Sequence, residues 1–224
     1  ITKTASYQKY QTGESLQRNV LKGLNLNKKD FRAIFKECKK KEIDFLCTAF
    51  DKDWLKYLIS LGMSNIKIPS GEITNYPYLK FIAQTKKPII LSTGMSKMIE
   101  IKKAVSQIKK YNESAKISIL HCTSLYPAPK ETLNLSAIEA ISKKFKLPMG
   151  YSDHSIGNLA SIAAVAMGAR IIEKHFTLNK NGSGPDHMAS ATYKELKLLI
   201  KEIRMLESAI GNGKKEPHLL EIDT

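Results

Sequence analysis

The chain has 224 residues, of which 42% are hydrophobic and 25% are charged. This length and composition are typical of a globular protein that buries one substantial core in one or two domains. No run approaches the ~20 apolar residues of a membrane span and the first residues do not form a signal peptide, so we expect a cytoplasmic protein without a membrane partner. The cysteines are odd in number and contain no C-x-x-C pair, which favours reduced thiols.

The net charge of +15 comes almost entirely from lysine, because only four of the 36 basic residues are arginine. Arginine supplies the bidentate group that reads bases and phosphates, whereas lysine is common on solvated helix faces. We therefore expect no nucleic-acid partner and favour a protein that handles an anionic small molecule. A non-catalytic protein that binds polyanions or nucleic acid through its basic surface stays open as a distant alternative, and it predicts steeply salt-dependent binding.

The predicted elements begin with an irregular, polar lead-in of loop and short helix over residues 1–27. Residues 28–42 then have apolar side chains at helical spacing. From residue 43 onward, short apolar runs alternate with amphipathic segments, and Asp51 and Thr192 are placed to cap two of the helices. The predicted strands are 43–50, 65–70, 88–93, 117–122, 147–154 and 170–177. The predicted helices that follow them are 51–61, 77–84, one containing 98–108, 135–145, 159–169 and 192–210.

Six strand–helix repeats predict a parallel sheet wrapped by helices. Polar side chains follow the carboxyl end of every strand; they are Thr48, Ser70, Glu72, Ser92, Thr93, Thr123, Tyr126, Asp153, His154 and His175. An open doubly wound sheet concentrates its site at one switch point, whereas a (β/α)8 barrel distributes it over all strand ends. We therefore predict an α/β fold of the (β/α)8 TIM-type barrel over residues 28–212. Because such a barrel has eight strands, its first two strand–helix units are expected to be missing from this sequence.

Two histidines, His154 and His175, each stand where an apolar strand stops. If the two strands are parallel neighbours about 4.8 Å apart, their imidazoles can converge on one metal ion. Two nitrogen ligands favour Mn²⁺, or Mg²⁺, completed by oxygen ligands, over structural zinc, which takes four protein ligands. Asp153 and Glu173 are near enough in sequence to orient the imidazoles. The alternative for either histidine alone is a core residue that bonds to backbone.

The spacing Lys67-x-x-Ser70-x-Glu72 predicts an anion site. A lysine inside a strand is costly to bury unless an anion pairs with it. Hydroxyls at the same strand ends add donors for phosphate or carboxylate; they are Thr48, Ser70, Ser92, Thr93 and Ser152. Glu72 could act as a general acid or contact a sugar hydroxyl, and Asp186, in the glycine-rich loop 182–187, could reach a hydroxylated substrate. The alternatives are a lysine that extends to solvent, a surface glutamate and a simple turn.

Six motifs, in order along the chain, resemble the sialic acid synthases, the N-acetylneuraminate synthase family. They are Lys67-Ile-Pro-Ser-Gly-Glu-Ile73, Leu91-Ser-Thr-Gly-Met95, His121-Cys-Thr-Ser-Leu-Tyr-Pro-Ala-Pro129, Gly150-Tyr-Ser-Asp-His154, Ile172-Glu-Lys-His-Phe-Thr177 and Gly184-Pro-Asp-His187. The resemblance implies a barrel enzyme that condenses phosphoenolpyruvate with N-acetylmannosamine and water, giving N-acetylneuraminate and phosphate. It also implies a divalent metal, typically Mn²⁺.

Carried over to this sequence, the resemblance implies that His154 and His175 bind the metal. The phosphoenolpyruvate contacts that it implies are Thr48, Lys67, Ser70, Ser92 and Ser152, and the amino-sugar contacts are Glu72, Tyr126 and Asp186. Ser124 stands where some relatives have an asparagine that contacts phosphoenolpyruvate. We predict catalytic roles for Lys67, Glu72 and His175, with Glu72 stabilising a cationic centre or managing the proton.

Members of that family have two further strands before this region and, after it, a small antifreeze-like domain that contributes an arginine to the partner subunit's site. The resemblance therefore implies that residues 213–224 begin the linker to that domain, that the full-length protein is a homodimer, and that the chain as given is inactive. The nearest alternative is a sister synthase that makes legionaminate or pseudaminate from another acetamido sugar. The motif Lys67–Ile73 looks closer to the sialic acid branch.

Overall fold

The computed structural model describes residues 24–222 and, before them, only Lys9 and Lys22. Within this part of the chain, five strands form one parallel sheet in sequential order. Their bounds are β1 Ile66–Ile68, β2 Ile89–Ser92, β3 Ile117–Cys122, β4 Met149–Asp153 and β5 Ile171–Lys174. A helix connects each strand to the next, which is the connection that parallel pairing requires.

The helices lie before, between and after these strands. They are α1 Lys28–Lys40, α2 Lys52–Leu61, α3 Tyr76–Gln84, α4 Met98–Tyr111, α5 Ala137–Phe145, α6 Leu159–Ala166, α7 Tyr193–Ile210 and the short α8 Leu219–Ile222. Both predicted caps are confirmed: the Asp51 carboxylate accepts the N–H of Trp54 at 2.8 Å, and Thr192 forms a capping box with Glu195. In the part of the chain that the structure describes, no helix is both long and apolar enough to span a membrane.

Side-chain alternation gives the sheet two different faces. Most residues that face the helices are apolar and belong to the main core, as Ile68 and Tyr151 do. Several residues at alternate positions are polar and also buried, among them Lys67, Ser92 and Ser152. One face therefore supplies the hydrophobic core, and the other carries the polar side chains of the candidate site.

The sheet is curved into a half-barrel. β1 and β5 are its outer strands, and in a flat sheet four strand spacings of about 4.8 Å would separate them by roughly 19 Å. The Lys67 ammonium on β1 nevertheless lies 3.2 Å from the Glu173 carboxylate on β5. These two side chains can meet only because the strands curl toward each other, so the polar face is the concave inner face.

One predicted strand is wrong. Residues 43–50 form no strand pairing with the described sheet, although Cys47 and Ala49 pack against the core. Two of their backbone groups bond to side chains instead: the Cys47 N–H points to the Met63 sulfur at 3.5 Å, and the Ala49 carbonyl accepts from the Tyr78 hydroxyl at 2.7 Å. An apolar run predicts a buried, extended segment, but it does not specify the hydrogen-bonding partner.

The other predicted strands and helices from residue 28 onward are found; β3 has the predicted bounds and the other four strands are shorter than predicted. The prediction of an α/β fold with a parallel sheet is confirmed, whereas closure into an eight-stranded barrel stays a prediction. Helix α6 ends before residue 169, because Gly168 adopts a left-handed φ of 95°. The predicted lead-in over 1–27 lies almost entirely outside the described residues, and part of the predicted linker forms α8.

Candidate active site

His154 and His175 lie side by side at the ends of β4 and β5. The two strands are parallel neighbours with Asp153 opposite Lys174 in the register, so the predicted pairing of the strands is confirmed. A histidine follows each of these two residues in the sequence. The two imidazole centroids are 5.3 Å apart, at an interplanar angle of 72°. One strand–helix–strand unit thus brings two distant histidines into contact.

His154 is held in one orientation and one protonation state. Its Nδ1 donates a hydrogen bond to the Thr123 carbonyl at 2.7 Å, which leaves the lone pair on Nε2. The Tyr126 ring packs on the imidazole with centroids 4.1 Å apart. Burial is the main cause that lowers the pKa of His154, so the ring is neutral at neutral pH. A neutral imidazole with an available nitrogen is the form that binds a metal ion.

His175 is the more open of the two histidines, with 36% of its side chain exposed. Its Nδ1 is 4.0 Å from the Asp186 carboxylate, which is longer than a direct hydrogen bond. Asp186 has a φ of 71°, in the left-handed region that non-glycine residues seldom adopt. The backbone of the loop after β5 therefore places the Asp186 side chain beside His175, at the edge of the site.

Lys67 is only 8% exposed and forms an ion pair with Glu173, with Nζ 3.2 Å from Oε2. The other oxygen of Glu173 accepts the Ser152 hydroxyl at 2.7 Å, and the Ser152 oxygen is 3.4 Å from His154 Nε2. Polar contacts thus run continuously from Lys67 to His154. The anion that the sequence predicts beside Lys67 is, in this structure, a carboxylate of the protein itself.

Two further hydroxyls on the inner face have different surroundings. The Ser70 oxygen accepts the Gly94 backbone N–H at 2.8 Å and lies 3.4 Å from the Cys122 sulfur. The Ser92 hydroxyl is buried and, within residues 24–222, has no hydrogen-bond partner. A buried polar group left unpaired costs about 1–3 kcal/mol. Ser92 is therefore a donor that a bound ligand could use.

These side chains surround one cavity of about 240 Å³. Its lining residues are Lys67, Pro69, Ser70, Gly71, Ser92, Cys122, Ser124, Tyr126, Ser152, His154, Glu173 and His175. Every predicted site residue is among them except Thr48, Glu72, Thr93 and Asp186. The structure thus collects most of the predicted site from the ends of all five strands and the loops that follow them.

These four residues lie outside this lining. The Thr93 hydroxyl donates to the Leu120 carbonyl at 2.9 Å. Thr48 lines a separate cavity of about 440 Å³ beside Trp54. Glu72 accepts a hydrogen bond from Asn75 Nδ2 at 2.7 Å, and Asp186 lies at the edge described above. Their roles as substrate contacts stay predictions.

Sequence reasoning missed one contributor and assigned two others to different contacts. Gly94 packs against three lining residues, and an added Cβ there would clash with Ser124 Oγ. Glu173, which was expected to orient an imidazole, pairs with Lys67 across the half-barrel. The Asp153 carboxylate does not point toward the imidazoles, because alternation turns its side chain to the helix-facing side, where it accepts the Ser161 hydroxyl. Alternation along β4 is the signal that could have revealed this.

The donor set of the cavity fits a divalent metal. The candidate ligands are the imidazoles of His154 and His175, whose centroids are 5.3 Å apart; among the described residues, no group of three or more histidine, cysteine or acidic side chains could hold a metal. Two nitrogens leave most of the coordination sphere to oxygen, an arrangement that suits Mn²⁺ or Mg²⁺. Since the charges of Lys67 and Glu173 cancel, an added cation would also favour the binding of an anion.

The sequence matches the NeuB family over residues 1–215. The chain belongs to the NeuB family. Two curated relatives carry the name N,N′-diacetyllegionaminic acid synthase: the one from Campylobacter jejuni is 47% identical and the one from Legionella pneumophila is 44% identical. These matches cover 96% and 95% of the NeuB-family chain but only 65% and 61% of the two relatives. The chain thus spans less than two thirds of their length.

A solved structure shares the fold over nearly the whole chain. The N-acetylneuraminic acid synthetase of Leptospira borgpetersenii is 37% identical and superposes with a TM-score of 0.87, covering 97% of this chain and 76% of that one. The membership of the N-acetylneuraminate synthase family that the six motifs predict is therefore confirmed.

Proposed function

We propose that the complete protein is a synthase that condenses phosphoenolpyruvate with an acetamido sugar and water, giving a nonulosonic acid and phosphate. The observation that carries this proposal is the single cavity in which Lys67, Ser92 and Ser152 lie with His154 and His175. Lysine and hydroxyl groups are donors for phosphate and carboxylate, and paired imidazoles are ligands for a divalent ion. Membership of the NeuB family supports the same reaction class.

The Lys67 side of the cavity would receive phosphoenolpyruvate. Without substrate, Glu173 neutralises the Lys67 ammonium, and a phosphate or carboxylate oxygen would compete for the same donor. The Ser92 hydroxyl has no partner to give up among the described residues, so a hydrogen bond to the ligand would recover the cost of about 1–3 kcal/mol for leaving it unpaired. Ser70 and Ser124 offer further hydroxyls on the neighbouring wall.

His154 and His175 would hold the metal, which we propose to be Mn²⁺, with Mg²⁺ as the alternative. When bound, the ion would supply Lewis acidity toward the carbonyl oxygen of the sugar. Tyr126 packs against both imidazoles, with centroids 4.1 and 5.6 Å away, and so restricts their movement. The hydrogen bond from His154 Nδ1 to the Thr123 carbonyl leaves Nε2 as the nitrogen that would bind the ion.

The amino sugar would lie toward Glu72, Tyr126 and Asp186. In the reaction, carbon 3 of phosphoenolpyruvate bonds to the aldehyde carbon of the sugar, water adds at carbon 2, and phosphate leaves with cleavage of its carbon–oxygen bond. A carboxylate near carbon 2 would stabilise the cationic character there and accept a proton from the attacking water. We assign this role to Glu72, because its turn already lines the cavity through Ser70 and Gly71.

Two acetamido sugars are candidates for the second substrate. The motif Lys67–Ile73 favours N-acetylmannosamine, with N-acetylneuraminate as the product. Sequence identity favours the 2,4-diacetamido sugar that leads to legionaminate, since the two legionaminic acid synthases are 47% and 44% identical to the chain, against 37% for the Leptospira N-acetylneuraminic acid synthetase. Both sugars therefore enter the test.

The test supplies the full-length protein with Mn²⁺, phosphoenolpyruvate and one sugar at a time, and measures phosphate release and the mass of the product. Lys67→Met should lose activity by about 100-fold or more, because it removes a charge-assisted contact to the anionic substrate. Lys109→Met, on the exposed face of α4, is the matched control and should behave as wild type. Failure to release phosphate with either sugar would contradict the proposal, and tight, metal-independent binding of polyanions would favour the non-catalytic alternative.

A further inference from the structure

A buried ion pair lies directly behind the two histidines. Asp153 is the last residue of β4 and Lys174 is the last residue of β5, and the two are opposite each other in the register. Their side chains are 0% and 5% exposed, with Lys174 Nζ 2.9 Å from Asp153 Oδ2. A histidine immediately follows each of them, and successive residues of a strand point to opposite faces. The pair therefore lies on the helix-facing side, one residue before each imidazole.

Every hydrogen-bonding position that the pair presents is used. Lys174 donates to Asp153 at 2.9 Å, to the Ser155 carbonyl at 2.6 Å and to the Gly157 carbonyl at 3.0 Å. Asp153 Oδ1 accepts the backbone N–H and the hydroxyl of Ser155 at 2.8 and 2.7 Å, and Oδ2 also accepts the Ser161 hydroxyl at 2.6 Å. The pair thus joins the ends of β4 and β5, the loop between β4 and α6, and α6 itself.

Stability alone does not account for this arrangement. Burying two charges costs so much desolvation that replacing such a pair with apolar residues is often neutral or stabilising. The pair does fix local geometry, because Asp153 and Ser155 are the two backbone neighbours of His154 and Lys174 is the residue before His175. Both imidazoles are therefore attached to backbone that this network immobilises.

We propose that Asp153 and Lys174 are positioning residues that hold the two imidazoles at the separation and angle needed to share one metal ion. This inference rests on the proposed metal site at His154 and His175. Neither residue of the pair is among those that line the cavity, so neither contacts substrate. Loss of the pair should raise the dissociation constant for Mn²⁺ about 10- to 100-fold, the range typical when groups that orient metal ligands are removed.

The test uses the full-length protein with Asp153→Asn and Lys174→Met combined, because this double variant leaves no unpaired buried charge. Mn²⁺ affinity is measured from the EPR signal of the free ion, and thermal unfolding is measured alongside it. The double variant should unfold near the wild-type temperature yet bind Mn²⁺ about 10- to 100-fold more weakly. Ser161→Ala, which removes one hydrogen bond from Asp153 and keeps both charges, is a milder second variant and should weaken binding severalfold. Lys143→Met, which breaks the exposed pair with Glu139 on α5, should change neither property.

Wild-type Mn²⁺ affinity in the double variant and in Ser161→Ala would overturn the proposal. A measurement without metal tests the positioning role independently of the proposed function. The imidazole NMR resonances of His154 and His175 should shift in these variants and not in Lys143→Met. If the wild type itself does not bind Mn²⁺, the proposed metal site is wrong. In that case unshifted imidazole resonances would overturn the positioning role too, and shifted resonances would support it.

Discussion

Replacing Gly94 with alanine should disrupt one wall of the cavity. The added Cβ would lie 2.2 Å from Ser124 Oγ, 2.7 Å from Cys122 Sγ and 2.9 Å from Ser70 Oγ, all closer than real Cβ atoms come to their neighbours. Three side chains would have to move together, and a displaced Ser70 would lose the hydrogen bond from the Gly94 N–H. Overpacking costs about 1–3 kcal/mol and the lost hydrogen bond about 1 kcal/mol, so the free energy of unfolding should fall by about 2–4 kcal/mol.

Gly71→Ala is the matched control, because Gly71 lines the same cavity but its added Cβ would have nothing within 4 Å. Urea denaturation should place this control within about 0.5 kcal/mol of wild type. The proposed synthase activity of the full-length protein should fall about 10-fold or more in Gly94→Ala, because displaced serines would no longer hold the proposed substrate in position. Equal free energies of unfolding for the two variants would refute the steric reasoning.

Three further predictions concern single side chains. His175→Ala should abolish Mn²⁺ binding with little loss of stability, because the imidazole is 36% exposed; EPR titration checks this, and an unchanged affinity would exclude His175 as a ligand. Tyr78→Phe should cost about 1–2 kcal/mol, since the buried hydroxyl donates to the Ala49 carbonyl at 2.7 Å. Burial raises the pKa of Tyr78 to about 12, so the hydroxyl stays protonated at both about pH 7 and about pH 9. The loss in free energy of unfolding, measured by urea denaturation, should therefore be equal at the two pH values. A loss that disappears at about pH 9 would contradict the hydrogen bond from Tyr78 to Ala49. The Lys180 ammonium and the Thr192 N–H lower the pKa of Glu195 from 4.5 to about 2, so the carboxylate stabilises the fold above pH 4.5 and this contribution is lost as the pH falls toward 2. Because Glu195 is 36% exposed, Glu195→Gln should lower the free energy of unfolding by at most about 1 kcal/mol near neutral pH. If the difference between variant and wild type does not shrink in acid, the lowered pKa of Glu195 is not its cause.

The histidine pair could be predicted from the sequence because its geometry is local. One strand–helix–strand unit makes β4 and β5 neighbours, so the residues that follow the two strands must lie close together. The contact between Lys67 and Glu173 could not be predicted in this way, since it depends on how far the sheet curls between β1 and β5. Hydrophobic periodicity indicates which face of a strand is buried, but it carries no information about that curvature.

Two other differences have separate physical causes. Residues 43–50 have the apolar composition of a strand, yet a strand also needs a neighbouring backbone to pair with. Here the side chains of Met63 and Tyr78 bond to two of the backbone groups, the Cys47 N–H and the Ala49 carbonyl. The direction of the Asp153 side chain could have been predicted from the sequence, because two adjacent residues of one strand cannot both face the cavity. Applying alternation to β4 places His154 on the inner face and Asp153 among the helices.

The same alternation makes chain length within β4 and β5 critical. Adding or deleting one residue inside β4 would exchange its two faces, so that a carboxylate entered the cavity and the imidazole turned toward α6. One change in length would then remove a proposed metal ligand and break the buried network at once. The segment 178–190 has no such constraint, because it begins after β5 and its length does not alter which way the strand residues point. Length variation in this half of the molecule should therefore be confined to its loops.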